Sequence, residues 1–379
     1  MPNPFLDTPA LCGPLRRPRQ MLADQRYDGH KSIHDDAMAE KLGLRAGPIA
    51  GPTHFSQFDP LLYQLYGHAW FETGCLSAHY QTMVVEGEEV RAFVQPAAPG
   101  RQLARVWAEK RDGTPVLTGT ASAGTRTVGG EATEPTELTE IEQRIAKLRP
   151  PSQLVINRDL RVGQKGAVVE KVCMGFEQHM GDSYPFTLAD KLKVITEPCR
   201  WYTLEGAAES PWGRPILPRE MISVLLGSSS PTNLRGRGPA VGLFADQEVR
   251  LIQGPLFVDH PYELEREIIA LSESTRTESA WIRTRVFDGE TRALVAEMIL
   301  NHAVMKASYA AYDREAAELG RGPRPILRSG SASGPTPARA RSTRGSSSTG
   351  TSAATSSARP PTPRTSSRRT SRCSRSRRS

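Results

Sequence analysis

The chain has 379 residues, 38% of them hydrophobic, which is length enough for one large core or two ordinary ones, and its formal charge is +8. That charge is unevenly placed: from Arg328 onward there are 12 arginines and no lysine or acid, and the remainder holds 37 basic against 41 acidic residues, a net −4. A mildly acidic body argues against a nucleic-acid-binding fold, because neutralising phosphates takes a basic face.

Residues 1–25 read as a loosely structured lead-in, with no apolar core of signal-peptide length. No later run approaches the roughly 20 apolar residues of a membrane span, so a cytoplasmic protein without a membrane partner is expected. The five cysteines, Cys12, Cys75, Cys173, Cys199 and Cys373, are scattered and form no CxxC. Neither a metal site nor a disulfide framework is predicted, and a reducing compartment fits.

The stretch from Arg26 to Tyr66 organises the rest. A polar turn at Asp28 and Gly29 leads to His34, and a short helical pattern (Ala37, Met38, Lys41, Leu42) stops at Gly43. A bend follows at Gly47, Pro48, Gly51 and Pro52, then apolar residues at helical spacing: Phe55, Phe58, Leu61, Leu62, Leu65 and Tyr66. A histidine beside carboxylates is thereby delivered to the mouth of a buried helix. Strand patterns then run over 76–85, 90–94 and 103–123, the last broken by Asp112-Gly113, a hairpin signal because its central residues favour positive φ. After a Gly/Glu/Thr/Pro-rich stretch, Leu138, Ile141, Ile145 and Leu148 mark an amphipathic helix that Pro150 and Pro151 stop.

The second half repeats the first. Gly47-Pro48-Ile49 returns as Arg214-Pro215-Ile216, and Val85-Glu86-Gly87 as Ile252-Gln253-Gly254, each at an offset of 167. Met221, Ile222, Leu225 and Leu226 supply the matching helix, and Asp288-Gly289 the matching hairpin, with Trp281 echoing Trp107. The same offset carries His34 onto Trp201, so the second copy lacks the histidine. A helix followed by an antiparallel sheet, occurring twice, predicts an α+β fold of two sheets that wrap helices and pair edge to edge. The divisions are a lead-in over 1–25, a first half over 26–126, a connector over 127–152, a second half over 153–315 and a tail over 316–379. The tail, rich in Arg, Ser, Thr and Pro, is too poor in apolar residues to order itself and is expected to be disordered. It reads as an RS-like RNA-binding segment, a solvated tail or an off-frame end of the reading frame.

Ser32-Ile33-His34, Ala39 and Gly47-Pro48-Ile49-Ala50-Gly51 together resemble the signature of the MaoC-like (R)-specific enoyl-CoA hydratases and 3-hydroxyacyl-thioester dehydratases. That hot-dog family runs Gly-Asp-x-Asn-Pro-Ile-His, a short helix, then Arg-Pro-Ile-x-His-Gly-Met. The resemblance covers about Tyr27 to Tyr312 and implies a double hot-dog: two antiparallel sheets, each round a central helix. It implies a hydro-lyase acting on an acyl-CoA or acyl-carrier-protein thioester, without a cofactor, in fatty acid metabolism. A homodimer is compatible with it. His34 falls on the catalytic histidine. The family aspartate falls on Gly29, leaving Asp28 or Asp35 as the carboxylate partner, with Asp36 also near. The glycine whose N–H binds the thioester oxygen falls on Pro52, which has no N–H. Gly51 or Thr53 is left as the donor, with His54 beside them in the substrate-binding turn.

The chemistry explains the residue types. Adding water at the β-carbon takes a base for water, an acid for the α-carbon and a donor for the charge on the thioester oxygen. Without the altered pair the chain would be a lapsed hot-dog that binds acyl thioesters or serves as a partner subunit. His68 reads as structural, His79 as a strand residue and the loop 179–184 as a surface loop. No G-x-S-x-G, phosphate loop or dinucleotide fingerprint is present, which speaks against hydrolases of the nucleophile-elbow type, kinases and dehydrogenases.

Overall fold

The computed structural model describes residues 9–124 and 137–321. In chain order its strands are β1 (Leu11–Cys12), β2 (Arg26–Tyr27), β3 (His30–Lys31), β4 (Cys75–Tyr80), β5 (Val90–Gln95), β6 (Ala104–Lys110), β7 (Pro115–Ser122), β8 (Glu170–Val172), β9 (Gly242–Leu251), β10 (Tyr262–Glu273), β11 (Thr277–Asp288) and β12 (Leu294–Met305). Ten of them form one sheet in the order β1-β5-β6-β7-β4-β9-β12-β11-β10-β8, with β2-β3 a separate hairpin. Read outward from the β4–β9 seam, the two halves carry the same strands in the same order. At the seam His79 and Asp246 face each other in register, and their side chains meet at 2.7 Å.

Alternation sets which side of the sheet is dry. Val90, Ala92 and Val94 of β5 and Ala104, Val106 and Ala108 of β6 are buried, as a period of two requires when one face packs on a helix. The first central helix fills that concave face. It begins as a 3₁₀ segment over Gly51–Phe58 and continues as α-helix over Asp59–Tyr66, burying Phe55, Phe58, Leu61 and Leu62. The second central helix, Arg219–Gly227, buries Met221, Ile222, Leu225 and Leu226 in the other half. Both helices share one continuous core.

The repeat is present, but its register differs from the sequence alignment. The Ile49 N–H donates to Val84 at 2.7 Å, and the Leu217 N–H to Leu256 at 2.8 Å. These equivalences give offsets of 168 and then 172, so residues are inserted between Leu217 and Leu256, most of them before β9 ends. Gly87 therefore matches Asp259, not Gly254, and both take a positive φ, +87° and +53°. The hairpins hold with one amendment each. In the first only Gly113 is left-handed, at φ +83°, while the Asp112 carboxylate accepts from the Thr114 N–H. In the second the left-handed residue is Arg292, not Gly289.

Three segments are more tightly held than their sequence suggested. Part of the lead-in is ordered: β1 pairs with β5, and Arg16 bonds Glu197 at 2.6 Å. The connector helix, Glu140–Ala146, starts at a Thr139–Glu142 capping box and buries Ile141 against Trp281 and Ile299. A last helix, Tyr312–Glu318, crosses the expected tail boundary, with Ala316 buried against Val155 and Ile156. The rest of the expected tail, from 322 on, lies outside the described residues. No helix among the described residues is long and apolar enough to cross a membrane.

Candidate active site

The segment carrying His34 is built by short-range chemistry. Asp28 and Gly29 both take positive φ, +52° and +79°, which makes the two-residue turn of the β2–β3 hairpin. Buried Ser32 accepts from the His34 N–H at 3.1 Å. Asp35 then caps a short helix, Asp36–Lys41. This segment leans on the second half, where Ile33 packs with Val241 and Met305. Gly47 lies against the His34 carbonyl, where a Cβ would collide, and its N–H donates to Asp36 at 2.8 Å.

His34 is fixed through one nitrogen. Its Nδ1 lies 2.5 Å from the Pro48 carbonyl, which also accepts from Gln20 at 2.6 Å. A carbonyl only accepts, so Nδ1 carries the hydrogen and Nε2 keeps its lone pair. Burial pushes the ring down to about 4, against a smaller upward pull from the Pro48 carbonyl. The ring is therefore neutral near pH 7 and its Nε2 is a base.

Gly51 begins the first central helix, and its N–H has no acceptor among the described residues. A side chain there would meet the Tyr80 ring at 2.6 Å, so only glycine fits. Tyr80 is held in turn by its hydroxyl, which donates to Gln247 at 2.9 Å. A free N–H at the positive end of a helix is a ready donor to a developing oxyanion.

Both groups border a cavity of about 650 Å³, within the range of small-molecule sites. Gly51, Thr53, Tyr80 and Val84 line it from the first half, and Leu243, Phe244, Leu300 and His302 from the second. At its floor His54 stands near the Lys191–Glu220 pair, which closes at 2.6 Å in a buried setting. Burial, and then Lys191, push the His54 ring down to about 4.

The other sequence-predicted residues fare differently. Asp28 borders the cavity but pairs with Arg235 at 2.9 Å. Asp35 does not border it: one oxygen caps Met38 at 3.0 Å and the other holds Lys31 at 2.6 Å. No carboxylate bonds the His34 ring among the described residues, so the expected dyad is not formed. Thr53 is not a free donor, since its N–H donates to Ala50 at 3.0 Å. The loop at 179–184 is not plain surface, because Ser183 and Tyr184 line the cavity. His302 was missed; its position on an alternating strand gives no signal without the strand's partners. Among the described residues no cluster of three or more histidines, cysteines and acids is placed to hold a metal.

In the second half the equivalent site is closed. At an offset of 168, the N-cap Asp35 matches the N-cap Thr203, so His34 matches Tyr202, not Trp201. Gly51 likewise matches Arg219. The Tyr202 hydroxyl donates to Asp59 at 3.2 Å, and Arg219 lies over the Trp70 ring at 3.8 Å. A cavity of only about 10 Å³ remains beside Arg219, room for at most one water.

No family model matches the sequence. No curated protein matches it either. Solved structures resemble it at low identity. One is assigned as a MaoC domain protein dehydratase from Chloroflexus aurantiacus J-10-fl (TM-score 0.49, 15% identity, 79% of this chain and 95% of that one). A second is a conserved hypothetical protein from Mycobacterium tuberculosis with a double hotdog fold (TM-score 0.48, 11% identity, 79% and 97%). A third is assigned as an oleoyl thioesterase from Lactobacillus plantarum (TM-score 0.37, 10% identity, 79% and 98%). With two antiparallel half-sheets, each packed on its own central helix and joined at the β4–β9 seam, the chain is a double hot-dog.

Proposed function

We propose that the chain is a hydro-lyase that reversibly adds water across the double bond of a 2-enoyl thioester, carried by CoA or a carrier protein. The observation that carries this reading is the His34 ring, pinned through Nδ1 to Pro48 so that a neutral Nε2 serves a cavity that also receives the Gly51 N–H. His34 takes the proton from water as its oxygen joins the β-carbon. Gly51 donates to the thioester oxygen as charge develops there. The walls from the second half enclose the acyl group. The direct test is loss of the enoyl-thioester absorbance when purified protein meets crotonyl-CoA or a longer 2-enoyl-CoA.

One observation favours a second reading, hydrolysis of the thioester. No carboxylate completes a pair with His34, and hydrolysis needs only one base for water and one donor for the oxyanion, because a thiolate leaves without an acid. Release of free CoA from a saturated acyl-CoA, followed with a thiol reagent, separates the two. Binding of acyl-CoA with neither reaction would mark a lapsed hot-dog that holds acyl thioesters.

A further inference from the structure

Hydration moves two protons at two different atoms, and His34 accounts for one of them. Asp28 is engaged by Arg235 and Asp35 by the helix cap, so neither bonds His34 as the second carrier. From the second half β12 presents His302 to the same cavity, between Phe244 of β9 and Ala280 of β11, neither of which titrates. Its ring lies on Gly242, where any side chain would collide with Nε2. The Gly242 N–H donates to the Tyr27 hydroxyl at 3.1 Å, which brings the β2–β3 turn, and with it Asp28, to the same spot. Neither nitrogen of the His302 ring has a hydrogen-bond partner among the described residues. An imidazole left unpartnered at a cavity wall, with a carboxylate acting on it, is equipped to hand a proton to something in that cavity.

We infer that His302, with Asp28 acting on it, is the second proton carrier of this cavity, working together with His34; this rests on the hydration reading. In the hydration direction an O–H bond of water breaks, its proton goes to His34 Nε2, and the oxygen joins the β-carbon. The π pair moves toward the α-carbon, which takes the proton from an N–H of protonated His302. One proton has passed from His302 to His34, and exchange with solvent restores both rings. Burial, and then Arg235, hold the His302 ring below its ordinary value, and Asp28 pulls it part of the way back toward the protonated form. No carboxylate acts on the His34 ring in this way, and a carboxylate near an imidazole is what lets it keep a proton it would otherwise shed.

The test is kcat and KM against pH for hydration of a 2-enoyl-CoA by the full chain and by H302Q, H34Q and D28N. The wild type should give a bell, its acid limb from protonation of His34 and its alkaline limb from deprotonation of His302. H302Q should lose the alkaline limb, with kcat reduced about 10²–10⁴-fold and KM little changed. D28N, a substitution in an exposed turn that asparagine tolerates, should move the alkaline limb to lower pH without unfolding the chain. H302Q with wild-type kcat and profile, or D28N with an unmoved limb, overturns the inference and leaves hydration standing. A wild type that hydrates nothing at any pH overturns the hydration reading itself, and this inference with it.

Discussion

Arg219 stands in the second half where Gly51 stands in the first, each two residues after a backbone bond that ties the helix entry to the neighbouring strand turn, Ile49 to Val84 and Leu217 to Leu256. At Gly51 the absence of a side chain leaves that place to the Tyr80 ring, and the helix start borders the large cavity. At Arg219 a guanidinium fills the same place, donating to Trp70 at 2.9 Å and lying 3.4 Å from Asp59. One substitution type therefore separates an open site from a structural plug.

Arg219→Ala should destabilise the fold by about 3–5 kcal/mol, because it leaves the buried Asp59 charge without its partner. Arg219→Lys should recover only part of this, since a point charge cannot reproduce the fork to Trp70 and Gly74. Urea denaturation of the three proteins checks it. A melt of the alanine variant matching wild type would show that the cluster contributes nothing.

His34→Gln should lower turnover about 10²–10⁴-fold on whichever thioester the protein acts upon. The cost in stability should be about 1 kcal/mol, the value of one hydrogen bond to Pro48. Steady-state kinetics alongside a thermal melt gives both numbers. Full activity in this variant would remove His34 from the chemistry.

Gly51→Ala forces the new methyl into the Tyr80 ring, so either the ring or the helix start must move. Overpacking of this kind costs about 1–3 kcal/mol. Turnover should fall as well, because the N–H is displaced from the cavity. Tyr80→Phe keeps the ring and loses only the bond to Gln247, so its turnover should stay much closer to wild type. The pair of kinetic measurements distinguishes ring packing from hydroxyl chemistry.

Stability should decline in mild acid. His34 and His54 are both pushed down to about 4 by burial, while in the unfolded chain each titrates near its ordinary value of about 6.5. Between those values the unfolded state binds more protons, so folding stability is whole above pH 6.5 and is lost as pH falls toward 4. His54→Gln should flatten the slope in that window. Urea midpoints at a series of pH values measure it, and an unchanged slope would mean that His54 stays charged when folded.

The sequence by itself determined the local pieces and their doubling. Apolar spacing in Phe55, Phe58, Leu61 and Leu62, alternation in β5 and β6, and Asp-Gly turns are written within a few residues of one another, so each element could be read without knowing its neighbours. His34 and the bend at Gly51 were legible for the same reason. Tertiary structure alone decided which side chains meet. Asp28 went to Arg235 because a two-residue turn fixes its backbone and aims it across the half-to-half boundary. His302 reached the cavity because β12 runs beside β9 and Gly242 leaves space for the ring. Pairings between residues some two hundred positions apart depend on packing of the whole sheet, and a period of two or 3.6 carries no trace of them.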